Sequence, residues 1–292
     1  MKTFFIFLLT IIFLSSCEKN IDFNLKNAED VLVVDAQIEN GQAPTVVLTK
    51  SFDYFSTISP QLLANSFVRN AEVTISNGTL THKLKEYAIS LAPGYTAYFY
   101  GIDSANPSTA FVGEFNKQYS LTIKAEGKEY FAKTNIPLLV KYPDSLWFKP
   151  APLNPDTNKR ILMTRTTDPP GLGNYIRYFT KKNRDNFLPG SNSVFDDAVI
   201  DGTTYEIQVD PGIDRNNPIS ADSNFFKRGD TVTVKVCNID KPTYTFWSTW
   251  EFAQQSIGNP FTQPNKVLGN ISTGALGAFC GYAAWYKTII AK

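Results

Sequence analysis

Gln118 to Ala125 reads QYSLTIKA, Gly127 stands two residues further on, and Glu129 to Asn135 reads EYFAKTN. In an extended chain successive side chains point to opposite sides, so Tyr119, Leu121 and Ile123 share one face. The glycine-containing break between the two runs predicts a hairpin. The same pattern recurs upstream. Ala71 to Ser76 (AEVTIS) places Ala71, Val73 and Ile75 on one face, Asn77-Gly78 supplies a turn, and Thr79 to Leu84 (TLTHKL) reads as the return strand. Val31 to Ile38 (VLVVDAQI) and Thr45 to Thr49 (TVVLT) flank the turn Asn40-Gly41 as two more strands. Tyr95 to Tyr100 and Phe111 to Phe115 are weaker strand candidates.

Pro137 ends this series, since proline cannot donate to a strand ladder. Pro143, Pro150, Pro152 and Pro155 mark the approach to a second series. It contains strands expected at Arg160 to Thr167, Asn174 to Thr180, Thr203 to Val209, Asp230 to Val236 and Gly277 to Tyr286. Lys181 to Asp201 reads as polar and turn-rich. One helix is expected at about 243–255, within KPTYTFWSTWEFAQQ, capped by Asp240 with Pro242 near its first position. Tyr244, Trp247, Glu251 and Gln254 form one stripe of it, Phe246, Trp250 and Ala253 a neighbouring one, and Gly258 ends it. The expectation is a mainly β chain of two β-rich units. Residues 30–136 form an antiparallel β-sandwich of Ig-like or prealbumin-like kind, and 140–292 a sandwich-like unit carrying the amphipathic helix.

The chain opens with a segment of a different kind. After Met1-Lys2, Phe4 to Leu14 is an apolar run of 11 residues, shorter than the roughly 20 needed to span a bilayer and of the length of a signal-peptide core. It ends in Leu14-Ser15-Ser16-Cys17, which resembles a bacterial lipobox: residues 1–16 are removed and Cys17 takes the lipid. Two or more acyl chains then hold the protein stably at a membrane. Residues 17–29 form a tether, and Glu18 and Asp22 favour the cell surface over the periplasmic face as its destination.

Composition fits this setting. The 292 residues hold 28 Lys+Arg and 27 Asp+Glu; loss of Lys2 leaves 27 of each, a side-chain charge of zero. No polycationic segment is present, which argues against a nucleic-acid partner. Abundant Phe and Tyr, with 2 Met, favour sheet over helix.

The order of the blocks VLVVDAQI, AEVTISNG, YSLTIKAEGKEYFAKTNIP, FLPGSNSVFDDAVIDGTTYEIQVDPGID, GDTVTVKVCNID and NPFTQPNKVLGNISTGALGAFCGY resembles the Bacteroidota outer-membrane lipoprotein family described as domain of unknown function 4249. The resemblance implies lipidation at Cys17, an outer-membrane location, and a TonB-dependent receptor barrel as partner. It implies no catalytic residue.

Candidate sites are few. The single histidine, His82, excludes a multi-histidine metal centre by count and reads as a lone surface residue. No G-x-S-x-G elbow occurs. Cys237 and Cys280 are a disulfide candidate, with two buried free thiols as the alternative. Asp196, Asp197, Asp201, Asp210 and Asp214 offer oxygens of the kind calcium prefers, but the D-x-[DN]-x-[DN]-G register is absent, so turn-capping carboxylates facing solvent are favoured and no metal or cofactor is assigned. Trp147, Phe148, Trp247, Trp250 and Trp285 read first as core. The function expected is that of a non-enzymatic accessory or ligand-binding lipoprotein; a structural or adhesive surface protein and a carboxylate-dependent hydrolase are the alternatives.

Overall fold

A computed structural model describes residues 30–292 apart from 53–58, 93–94, 216–220, 258, 260–264 and 273. The expected signal segment, the tether, Cys17 and Gly258 lie outside the described residues. No helix among the described residues is long and apolar enough to cross a membrane.

The chain is mainly β, with several sheets and one long helix. The strands of the first half are β1 (Leu32–Glu39), β2 (Thr45–Lys50), β3 (Glu72–Ser76), β4 (Thr81–Lys83), β5 (Lys85–Ala92), β6 (Tyr95–Gly101), β7 (Lys117–Ala125) and β8 (Lys128–Ile136), with a short helix α1 (Pro60–Asn65) between β2 and β3. The second half holds β9 (Pro143–Pro150), β10 (Lys159–Thr167), β11 (Tyr175–Lys182), β12 (Leu188–Phe195), β13 (Thr204–Val209), β14 (Phe226–Lys227), β15 (Thr231–Ile239), helix α2 (Lys241–Ser256) and β16 (Ala275–Ile290). The β7–β8 hairpin has the predicted faces: Tyr119, Leu121 and Ile123 are buried, as are Tyr130, Ala132 and Thr134 opposite them. Its two-residue turn is Glu126-Gly127, both at positive φ (50° and 76°), the conformation that matches the twist of paired strands.

Three sheets make up the architecture. An eight-stranded sheet runs β12-β11-β15-β16-β1-β2-β6-β5; one four-stranded sheet is β4-β3-β7-β8, and the other joins β13, β10 and β14, with β9 on β10. The even-numbered residues of β1 and Phe279 and Ala283 of β16 pack with β3, β7 and β8 in one core. Val232, Val234 and Val236 of β15, with Tyr178, pack with Leu162, Val209 and Phe226 in a second core. The opposite face of the large sheet is covered by α2, whose Tyr244, Phe246 and Trp247 lie on Cys237, Ile239, Ala278, Cys280 and Tyr282.

β16 joins the two halves: it pairs in parallel with β1 through residues 275–282 and antiparallel with β15 through 283–290. Its sixteen residues exceed the expected strand at both ends, and each half serves a different core.

Helix α2 starts where capping predicts. The Asp240 carboxylate accepts from the Thr243 N–H at 3.0 Å, and proline stands in the first turn. The same carboxylate accepts from the Asn135 N–H at 2.8 Å, tying the helix start to the end of β8. His82 corrects the expectation of a surface residue, being 0 % exposed. Its Nε2 accepts from the Asp103 N–H at 3.0 Å, so Nδ1 carries the proton and donates to Thr109 Oγ1 at 2.8 Å. The ring thereby anchors the loop after β6. Phe111 to Phe115 forms no strand beyond a bridge from Gly113 to Asn40.

Candidate functional site: an apolar cavity in the second half

The two layers of the second half pack around one apolar cluster and hold a cavity beside it. In the cluster Leu162, Val209 and Phe226 fill the space, with Phe148 edge-on to Phe226 at 5.7 Å. Two residues further along each strand the character changes. Register pairs Thr164 with Ile207 and Thr166 with Tyr205 on one wall, and Tyr178 with Val236 on the other. Threonines in place of leucines leave space, and the walls enclose a cavity of about 540 Å³. That volume is typical of small-molecule sites, which are mostly apolar with a few placed polar groups. Its mouth carries apolar side chains in solvent: Ile207 is 43 % exposed and Val199 93 %, with Phe195 and Tyr142 beside them.

The polar groups of the lining are specific. Lys141 and Asp168 form an ion pair with side chains 1 % and 0 % exposed. The Lys141 backbone is held by Asn238, whose Oδ1 accepts from the Lys141 N–H at 2.9 Å and whose Nδ2 donates to the Lys141 carbonyl at 2.6 Å. The Lys141 ammonium also lies 5.8 Å from the centre of the Tyr205 ring. Thr164 and Thr166 hydroxyls stand 3.2 Å apart. Burial pushes the Tyr205 phenol up to about 12, with the Asp168 charge adding to it; burial, then the charges of Asp210 and Glu251, raises Tyr178 as well. Both hydroxyls therefore remain neutral. Asp196 and Asp210 complete the lining just past the ends of β12 and β13. Asp196 accepts from the Tyr244 hydroxyl at 3.0 Å and Asp210 from the Gln208 amide at 2.8 Å.

The five aspartates singled out in the sequence do not converge. Asp197 and Asp201 meet a third carboxylate, Asp168, with ligand atoms within 4.8 Å of one another. Asp196 and Asp210 belong to the cavity, and Asp214 lines a separate small pocket. Hard cations favour such oxygen sets, but these oxygens already have partners. Asp168 holds Lys141, Asp201 accepts from the Gly171 N–H at 2.7 Å, and Asp197 from the Gly173 and Asn174 N–H groups at 3.1 and 2.9 Å. Burial alone would raise the Asp197 carboxyl; the backbone donors of Asn174 and Gly173 outweigh it and leave the group below its ordinary value. The cluster staples the 169–174 turn onto the 197–202 turn at the cavity's edge. Asp168 was missed in sequence because its significance depends on Lys141, 27 positions away.

Cys237 and Cys280 are buried free thiols, which corrects the disulfide candidate. Cys237 is paired with Ala284, four residues along β16 from Cys280. At roughly 3.3 Å per residue the offset is about 13 Å, against a limit of about 7 Å between bridged Cα atoms. Burial pushes both thiols up to about 12.

A second polar network lies under α2. Glu251 accepts from both the N–H and the hydroxyl of Ser193. Arg177 donates to Ser193 Oγ at 3.1 Å and to the Tyr282 hydroxyl at 3.2 Å, and its guanidinium lies 3.4 Å from the centre of the Trp247 ring. Ser193 is 0 % exposed, and the network docks the helix onto β11 and β12.

Residues 18–287 match the family model described as Domain of unknown function (DUF4249), and the chain belongs to that family. No curated protein matches it.

Proposed function

We propose that this member of the DUF4249 family is a non-enzymatic accessory protein of the outer membrane, anchored by lipid at Cys17, that holds a small ligand for a TonB-dependent receptor barrel. In this reading the two halves are β-sandwiches side by side, the first of Ig-like or prealbumin-like kind, and the anchor places them on the cell surface. The observation that carries the binding role is the cavity of about 540 Å³ with its apolar mouth in solvent. Apolar side chains grouped at the mouth of a concave cavity are a common mark of a ligand or partner site. The apolar run ending in Leu14-Ser15-Ser16-Cys17 supports the anchor, and tethering raises the effective concentration of the cavity beside a co-resident barrel.

Crosslinking in intact cells, followed by purification from solubilised outer membranes, should recover a receptor barrel with the protein. Deleting the protein should impair uptake by that receptor without altering its abundance. Cys17→Ser should abolish fatty-acid labelling and release the protein from membranes. Normal uptake with no captured barrel would refute the accessory role, and a Cys17→Ser protein that still incorporates label would refute the anchor.

A further inference from the structure

The charge of the cavity lining is unbalanced. Lys141, the one cation among its described lining residues, is already paired with the buried Asp168. Asp196 and Asp210 remain; each carboxylate receives a neutral donor, from Tyr244 and Gln208 respectively, and neither has a cationic partner among the lining residues. Around them the walls are apolar and aromatic, with Tyr178 and Phe195 stacked at 6.1 Å between ring centres. Carboxylates attract cations more strongly where water is partly excluded, as at half-buried Asp196, while Asp210 is exposed at the rim; aromatic faces attract cations as well. An anionic ligand would meet two negative charges along the lining, and a neutral apolar one would gain nothing from them.

We propose that the cavity takes a small apolar ligand bearing an amine or other cationic group, its apolar body between the β10–β13 and β11–β15 walls and its charge toward Asp196 or Asp210. This proposal rests on the cavity being the binding site described above.

Three probes with one apolar body separate the two claims: 1-naphthylmethylamine, 1-naphthylmethanol and 1-naphthylacetate. Each is titrated by equilibrium dialysis into the full-length lipidated protein in nanodiscs, with empty nanodiscs subtracted. The amine should bind at least tenfold more tightly than the alcohol, and the acetate more weakly than either. The double variant Asp196→Asn/Asp210→Asn, which keeps both side chains as acceptors for Tyr244 and Gln208, should weaken the amine about tenfold and leave the alcohol unchanged. Ile207→Trp, at a half-exposed position at the mouth, should weaken all three. Equal binding of amine and alcohol, or an amine affinity unmoved by the double variant, would overturn the assignment of ligand charge while leaving the cavity as the site. Failure of all three probes to bind the folded protein would overturn the cavity as a binding site and the charge assignment with it.

Discussion

Replacing Lys141 by Met isolates the energetics of the cavity floor. The pair it forms with Asp168 has side chains 1 % and 0 % exposed. It is therefore unlike a surface ion pair, whose contribution is about 0–1 kcal/mol. Methionine nearly preserves the volume of the lysine stem, so the loss is chiefly electrostatic. It leaves the Asp168 carboxylate in a dry site with one remaining donor, the Gly202 N–H at 3.3 Å. Removing one partner of a buried pair costs about 3–5 kcal/mol, a fifth or more of the roughly 5–15 kcal/mol that holds a typical domain folded. Asp168→Asn alone leaves the ammonium without a counter-charge and should cost a similar amount. In the double variant Lys141→Met/Asp168→Asn neither charge remains, so its cost should fall below the sum of the singles by about 2 kcal/mol or more. Urea unfolding followed by tryptophan fluorescence measures all four proteins, with the denaturant slope checked for constancy. Single variants that cost under about 1 kcal/mol, or costs that simply add, would show that water reaches the pair.

Asp240→Ala should cost about 2–4 kcal/mol, more than the roughly 1 kcal/mol of an ordinary helix cap, because the same carboxylate also receives the Asn135 N–H; Asp240→Asn should recover much of it in urea unfolding. Asp197 has a folded-state value below its ordinary one. The stability it contributes is therefore present above about pH 4, the unfolded value, and is lost as pH falls through the folded value. Asp197→Asn should lower stability at pH 7 and flatten the acid limb, and an unchanged acid limb would contradict the staple described for this turn. Cys237 and Cys280 should resist thiol reagents in the native protein and react together on unfolding, because burial keeps both thiols protonated. An intact mass two daltons low would show instead that they had paired.

The strands that could be read from the sequence are those with one wet and one dry face. β7, β8, β3 and β1 alternate because each lies on a core, and Asp240 with proline in the first turn marked the start of α2. β5, β9 and β12 gave no such signal. β5 lies at the edge of the large sheet with most of its residues exposed, so nothing selects an apolar alternation. β9 begins and ends in proline. β12 contains Pro189 and Gly190, which read as a turn; yet a side chain at Gly190 would fall 1.9 Å from the Tyr178 hydroxyl, so the glycine is required by a neighbouring strand. The cavity was invisible for a related reason. Its walls come from positions between 141 and 236 that meet only through the register of four strands. His82 misled because a strand flanked by polar residues does not reveal which loop will cover it.

The placement of β16 imposes an order on the birth of the molecule. Its residues 275–282 lie beside 32–39, so the two edges joined there are about 240 positions apart in the chain. Phe279 and Ala283 also fill the first core, which otherwise needs nothing beyond residue 136 except the flanking Ile271 and Ala275. Contacts between such distant positions form slowly, because closing the intervening chain costs entropy before any contact compensates it. A ribosome or a translocation channel delivering the chain from its N-terminus therefore releases a first half that stays incomplete until nearly the last residue has arrived. A nascent chain arrested at residue 270 should accordingly be cleaved by protease within 30–136, and protection there at that length would disprove the dependence. On the route that the proposed lipid anchor implies, in which the chain is threaded through a membrane before it folds, the late strand would act as a timer, withholding the native state until the whole chain is on the far side.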